Sequence, residues 1–356
     1  MARPDRSIEI ENALLARVND HPSDLVRVVA EQLGLSRAAV APRVRALIEA
    51  GFLEKEGTTR PVYRLGPHRR AGFRHRLAGL QEDIVWTRQV LPMLQGLPDN
   101  VLDICHHGVT EMVNNAIDHS EGTEVRVGVT RTSGTVWLYI TDDGVGIFRK
   151  ITRALSLPDE RLALLELSKG KLTTDPRRHS GEGVFFTSRM FDRFAIHSGG
   201  LVFDHDATQP EDVLFDIDDD GDIDGLAGTT VQMEIATDAE RTAKQVFDAY
   251  SSGPDEYAFA KTVVPVRLAK VGDENLISRS QAKRLLQRVD RFRSVVLDFE
   301  GVSGIGQAFS DEIFRVFANA HPDVELIATN AVPDVQQMIR RAQARRDEDA
   351  NQLPLL

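Results

Sequence analysis

Residues 108–120 read GVTEMVNNAIDHS, residues 125–147 read VRVGVTRTSGTVWLYITDDGVGI, and the fold turns on these two stretches. In the first, Glu111 and Asn115 stand four apart, so on a helix they project from one face, one turn above the other. Asp118 lies a turn beyond Asn115, and His107 a turn before Glu111. Surface helices carry such pairs constantly, so this one decides nothing by itself. The second stretch reads as two strands joined by a turn at Ser133-Gly134 and followed by a glycine-rich loop. There Gly144 and Gly146 let the backbone approach a ligand closely.

Further along, residues 179–191 read HSGEGVFFTSRMF, in which Gly181 and Gly183 open an apolar helix whose first N–H groups can receive phosphate. Residues 228–235, GTTVQMEI, read as a strand led by Gly228-Thr229. The ordered set E-x-x-x-N, D-x-G-x-G, G-x-G before a helix and G-T before a strand resembles the GHKL ATPase superfamily of gyrase, chaperone, histidine-kinase and MutL type. Any one of these boxes is weak; the agreement of four, in order over about 155 residues, is specific.

The resemblance implies a Bergerat-type α/β sandwich that binds ATP with Mg²⁺. It implies that Asn115 holds the metal through its side-chain oxygen, with Asp118 one turn further along the same site. Asp142 would accept a hydrogen bond from the adenine amino group, assisted by Thr229, while Gly144 and Gly146 let the loop wrap base and ribose. Gly181 and Gly183 would seat the phosphates. Glu111 stands where the hydrolytic branches carry the glutamate that orients and deprotonates water, and anti-sigma serine kinases carry glutamate there too. His107 stands where the topoisomerase branch has a histidine that positions it; a partly exposed helix residue is the plain alternative. Between the glycine boxes the family places a mobile lid, and there Lys169, Lys171, Arg177, Arg178 and His179 could reach the terminal phosphate, with Lys171 the candidate singled out. No acidic residue sits directly beside the two lysines.

Upstream, residues 1–76 hold fourteen Lys and Arg against nine Asp and Glu, although the whole chain of 356 residues has a net charge of −11. Ile8, Ile10, Leu14, Leu15 and Val18 repeat at helical spacing; a second helix is read from a Ser23 cap to Gly34, and a third from a Ser36 cap to Gly51. Residues 52–66 then read as two short strands around Gly57. This layout resembles a winged helix-turn-helix. The resemblance implies binding of double-stranded DNA, with Arg37, Arg43 and Arg45 on the third helix near bases or phosphates and Arg60 on the wing. Contact with protein alone, or dimerisation, is the plain alternative.

Residues 260–348 alternate strand and helix, and residues 294–314 in particular resemble STAS domains. At the turn where regulated members carry a phosphorylated serine, this chain has Gly306, Gln307 and Ala308, with Ser303 before and Ser310 after. That departure favours a docking or dimerising module, and Ser310 reads as a helix cap. An acidic run from Asp216, DIDDDGDIDGLA, begins like a calcium loop but has Ala227 where the bidentate glutamate belongs, so it reads as a hairpin turn between two strands.

The whole is expected to be an α+β multidomain chain: winged helix 1–66, basic linker 67–80 turning into a helix, ATP-binding domain 81–236, linker 237–259 and a STAS-like domain 260–348. One cysteine, Cys105, excludes an intramolecular disulfide framework. No stretch is apolar for long enough to span a membrane, and the N-terminus lacks a secretory core, so a cytoplasmic protein is expected. The expected function is an ATP-binding, slowly hydrolysing switch on DNA, with a homodimer or a protein partner engaged through the STAS-like domain. The alternatives are an anti-sigma-type serine kinase or a module that holds ATP without cleaving it.

Overall fold

The computed structural model describes residues 6–172, 181–208, 213–216, 227–253, 256–270 and 275–352. Two compact units divide the chain: Met1–Gly144 with Thr230–Glu240, and Val145–Thr229 with Arg241–Leu356.

The first unit opens with three helices, α1 (Ser7–Arg17), α2 (Leu25–Leu33) and α3 (Arg37–Glu49). An antiparallel hairpin follows, β1 (Leu53–Glu56) with β2 (Val62–Leu65). The hydroxyl of Ser36 caps α3 by accepting from Ala39 N at 3.2 Å, and α2 stops at a left-handed Gly34. Asp24, not Ser23, occupies the position before α2. Leu14, Val18, Leu25, Val29, Val40, Leu47 and Leu53 close one apolar core under these elements.

The expected linker at 67–80 carries a strand over most of its length instead. β3 (Arg69–Arg76) pairs antiparallel with β4 (Glu124–Arg131) along its whole length, from Arg69↔Arg131 to Arg76↔Glu124. Only residues 66–68 separate it from β2, and they are bound down. Gly66 N donates to Phe52 O at 2.9 Å, His68 N to Gly51 O at 3.0 Å, and the His68 ring meets Ala50 O at 2.6 Å. α1 packs on β3, and Glu11 on α1 accepts an ion pair from Arg70 at 3.1 Å and from Arg43 at 3.7 Å.

A helical run follows as α4 (Glu82–Val85), a π-helical turn Trp86–Val90 and α5 (Leu91–Leu94). α6 (Asp99–His119) then buries Val101, Ile104, Cys105, Val109, Met112, Val113 and Ala116, a 3.6-residue repeat that forms one apolar stripe. Burial pushes the Cys105 thiol up to about 12, so it acts as a packing residue. β5 (Thr135–Asp142) pairs antiparallel with β4.

The second unit starts with α7 (Ile147–Leu155), α8 (Arg161–Lys169) and α9 (Gly183–Met190). β6 (Arg193–Ser198), β7 (Leu201–Asp206) and β8 (Val213–Asp216) form an antiparallel meander. β9 (Thr230–Ala236) belongs to the first unit, where it pairs with β5; α6 covers the sheet there, packing on both strands. β8 pairs with β7 and β9 with β5, so among the described residues the two strands do not form the hairpin read around the acidic run; residues 217–226 of that run lie outside the described residues.

The expected linker 237–259 is also structured. It carries α10 (Ala243–Tyr250), started by a capping box between Thr242 and Gln245, and a short hairpin of β10 (Ser251–Gly253) and β11 (Glu256–Phe259). The C-terminal layer follows the expected alternation: β12 (Lys261–Pro265), α11 (Arg279–Leu286), β13 (Ser294–Asp298), α12 (Gln307–Asp311), β14 (Glu325–Thr329) and α14 (Pro333–Gln352). A π-helical stretch, Glu312–Phe317, extends α12 into α13 (Ala318–Ala320). The three strands are parallel, from Lys261↔Ser294↔Glu325 to Pro265↔Asp298↔Thr329. Ser310 is not the cap expected of it. The helix begins at Gln307, and Ser310 lies inside it, buried, with its hydroxyl donating to Met338 O at 2.9 Å.

Candidate functional site

α6 carries four of the predicted site residues. His107, Glu111, Asn115 and Asp118 are all half-buried, in contrast to the fully buried stripe that fixes the helix to the sheet. The amide nitrogen of Asn115 lies 3.9 Å from Met112 Sδ, a weak acceptor. Its other terminal atom is a hard oxygen of the kind Mg²⁺ takes.

Burial, with a smaller contribution from neighbouring His106, pushes His107 down to about 4. Imidazole in an unfolded chain titrates near 6.5. Between those values the unfolded chain holds the extra proton, so stability falls as pH drops from about 6.5 to about 4. His107→Gln should remove up to about 2 kcal/mol of the stability lost between pH 7 and pH 5. Urea midpoints at the two pH values, compared with the parent, give the measurement; parallel shifts in both proteins would assign the acid sensitivity elsewhere.

Asp142 ends β5 at only 9 % exposure. One of its carboxylate oxygens accepts from Gly144 N at 2.8 Å, which bends the chain out of the strand. A side chain at Gly144 would collide with the Ser120 carbonyl at the end of α6, so only glycine lets this loop close on the helix. Asp143, which the motif reading passed over, anchors the loop from outside. It accepts from Thr123 Oγ1 at 2.6 Å, Thr123 N at 2.7 Å and Glu124 N at 2.9 Å, and the Thr123 hydroxyl and backbone N–H groups hold it down at about 2. An Asp followed twenty residues after a Ser/Thr-rich helix end is too common a pattern to have marked it.

In the second unit, Gly146 takes a positive φ of 86°, and a Cβ there would stand 2.6 Å from Ser198 Oγ. The hydroxyl of Thr229 accepts from Ile147 N at 3.0 Å, and Ser198 Oγ donates to Gly228 O at 2.9 Å. Gly146, Gly228 and Thr229 thus meet, although some eighty residues separate them in sequence. Gly183 begins α9, and Gly181 O accepts from Leu172 N at 3.0 Å.

The lysines of that segment are placed differently from expectation. Lys169 is fully buried and cannot serve an open lid. Its ammonium donates to Glu166 at 2.6 Å, Gln287 O at 2.9 Å and Arg284 O at 3.1 Å. Glu166, one turn back at 2 % exposure, also pairs with Arg288 at 2.9 Å. The reading missed it because a helical turn, not sequence adjacency, brings carboxylate and ammonium together. Burial pushes Lys169 down to about 8, against the pull of Glu166. Lys171 donates to Arg291 O at 3.1 Å and stands 4.7 Å from the centre of the Phe292 ring. Arg177, Arg178 and His179 lie outside the described residues.

Of the four arginines read as DNA contacts, Arg37, Arg45 and Arg60 are exposed, while Arg43 is half-buried and turned to Glu11. Among the described residues no cluster of three or more His, Cys, Asp or Glu is placed to hold a metal by itself. Mg²⁺ commonly takes one or two protein oxygens and completes its shell with phosphates and water, so a single amide fits that role. No helix among the described residues is long and apolar enough to cross a membrane.

Residues 76–202 match the family model of the histidine kinase-like ATPase domain. Residues 281–336 match that of a STAS-like domain of unknown function (DUF4325). No curated protein matches the chain. The ATPase match supports ATP binding.

Proposed function

We propose that the chain is a Mg-ATP-dependent switch whose nucleotide state sets its affinity for double-stranded DNA. The observation that carries it is the match to the ATPase domain over 76–202, within which Asp142 sits buried at a strand end and Glu111 and Asn115 line one half-buried face of α6. In this reading Asp142 selects adenine, with Thr229 beside Gly146 completing the base contact. Asn115 supplies the metal-binding oxygen, Asp118 supports it, and Gly181 and Gly183 receive phosphate at the start of α9. The metal, when bound, neutralises phosphate charge.

Glu111 is the general base of the proposed hydrolysis. It takes a proton from water as the water oxygen bonds to the γ-phosphorus, and the bond to the β,γ-bridging oxygen breaks to release ADP. His107, kept neutral by burial, orients it. Lys171 could contact the terminal phosphate only by giving up Arg291 O and Phe292. The three-helix head with its hairpin is proposed as a winged helix, with Arg37, Arg45 and Arg60 toward DNA and Arg43 fixing the recognition helix through Glu11. The STAS-like layer is proposed as the docking module for a partner or a second copy.

A ligand shifts a two-state equilibrium only by binding the two states unequally. Duplex affinity is therefore expected to differ by about tenfold or more between the ATP and ADP states, a coupling of about 1–3 kcal/mol. Titration of labelled duplex with protein in ATP, ADP or no nucleotide, Mg²⁺ constant, tests this. Equal affinities would remove the coupling.

A further inference from the structure

The first unit's sheet has one buried face and one that is open around Gly72, Arg74, Arg126 and Tyr139, with α1 reaching it at Arg70. Val127, Val129, Leu138, Ile140, Val231, Met233 and Ile235 point to the covered side and are buried. Residues directly opposite one another across paired strands share a face, so the register lists the other side row by row. One row is Arg74, Arg126, Thr141 and Thr230; the next is Gly72, Gly128, Tyr139 and Gln232; the third is Arg70, Thr130, Trp137 and Glu234.

The middle row makes a trough. Gly72 has open space where a side chain would stand, and Gly128 lies under Tyr139, whose Cβ is 3.5 Å from the position a Cβ would take. Gly72 therefore leaves one strand of open floor, about 5 Å across, beside the Tyr139 side chain that covers Gly128. Tyr139, 37 % exposed, and half-buried Trp137 wall one end. Arg74 and Arg126, at 69 % and 66 % side-chain exposure, flank the other, sharing the single carboxylate of Glu124. With Arg70 and Arg76 the face carries four guanidinium groups, of which Arg70 is paired with Glu11, against Glu124 and Glu234.

We propose that this open sheet face binds single-stranded nucleic acid, bases stacking on Tyr139 and Trp137 and phosphates meeting Arg74 and Arg126. Aromatic rings on the accessible side of a sheet, Tyr139 exposed and Trp137 half-buried, suit splayed bases, whose faces a duplex keeps stacked. Guanidinium groups supply the charge complement of the backbone. Tyr139, Trp137, Arg74 and Arg126 are distinct from Arg37, Arg45 and Arg60, and the nearest link to α3 is Glu11, shared by Arg70 and Arg43.

The chain has two tryptophans, and Trp86 is buried, so full-length Trp86→Phe leaves Trp137 as the reporter. Titration with oligothymidylate is expected to quench its emission to saturation. Tyr139→Ala should weaken binding about tenfold. The pair Arg74→Gln and Arg126→Gln should lower the slope of log affinity against log salt by about 1.4. If Trp86→Phe fails to fold, the difference in quenching between the parent and Trp137→Phe reads the same contact. Absence of quenching at low salt, or quenching that neither change reduces, overturns the proposal; so does equal quenching by a blunt duplex of the same length. Arg37→Gln with Arg45→Gln is expected to lower duplex affinity and leave oligothymidylate binding intact, which separates failure here from failure of the duplex reading.

Discussion

Glu166→Ala is expected to destabilise the protein by about 3–5 kcal/mol, because it strands two buried cations. Lys169 is fully buried and Arg288 nearly so, and the one carboxylate between them lies 2.6 Å and 2.9 Å from their nitrogens. The remaining partners of Lys169, the carbonyls of Arg284 and Gln287, are dipoles that cannot cancel its charge. Arg288 also donates to Gly170 O at 3.0 Å and to Lys171 O, so its displacement would loosen the end of α8 as well. The midpoint of thermal unfolding should fall by about 6–20 °C for a unit of this size. Glu166→Gln, which keeps an acceptor but no charge, should fall between. A shift under about 2 °C for the alanine variant would mean that the ion pair contributes little.

Glu111→Ala is expected to cut ATP hydrolysis by about 10²–10⁴-fold, the usual contribution of a positioned general base. Nucleotide affinity should stay within about threefold, since the proposed base contacts the attacking water and not ATP. A variant that lost binding and turnover together would place Glu111 in the binding of Mg-ATP instead. Phosphate release and label on protein should be followed side by side, because transfer of label to a partner would identify the serine-kinase chemistry that a glutamate here also permits.

The parts of the fold legible in the sequence are those where one period dominates. α6 shows its buried stripe at every third or fourth residue, and in β4 and β5 Val, Leu and Ile recur at every second residue. β3 was not legible because RRAGFRHR has four arginines in eight residues; pairing with β4, not apolar content, makes it a strand. The hairpin of β6 and β7 carried a usable signal that went unread, the Gly199-Gly200 pair between two apolar runs, both residues left-handed as such a turn requires. In the site, glycine boxes and the helical pair are local patterns and could be read. The burial of Lys169 and the clasp of Lys171 by Arg291 and Phe292 arise from segments more than a hundred residues away and have no local trace.

The three bound-down residues between β2 and β3 also bear on how this protein can be dissected. Removing the head at the boundary that composition suggests, near residue 80, would take β3 with it and bare the whole hydrogen-bonding edge of β4, a template for intermolecular pairing. Cutting just before Arg69 keeps that strand but deprives Arg70 of Glu11. The head is thus no detachable cartridge: whatever it reads, it is bolted to the outermost rib of the sheet beside it.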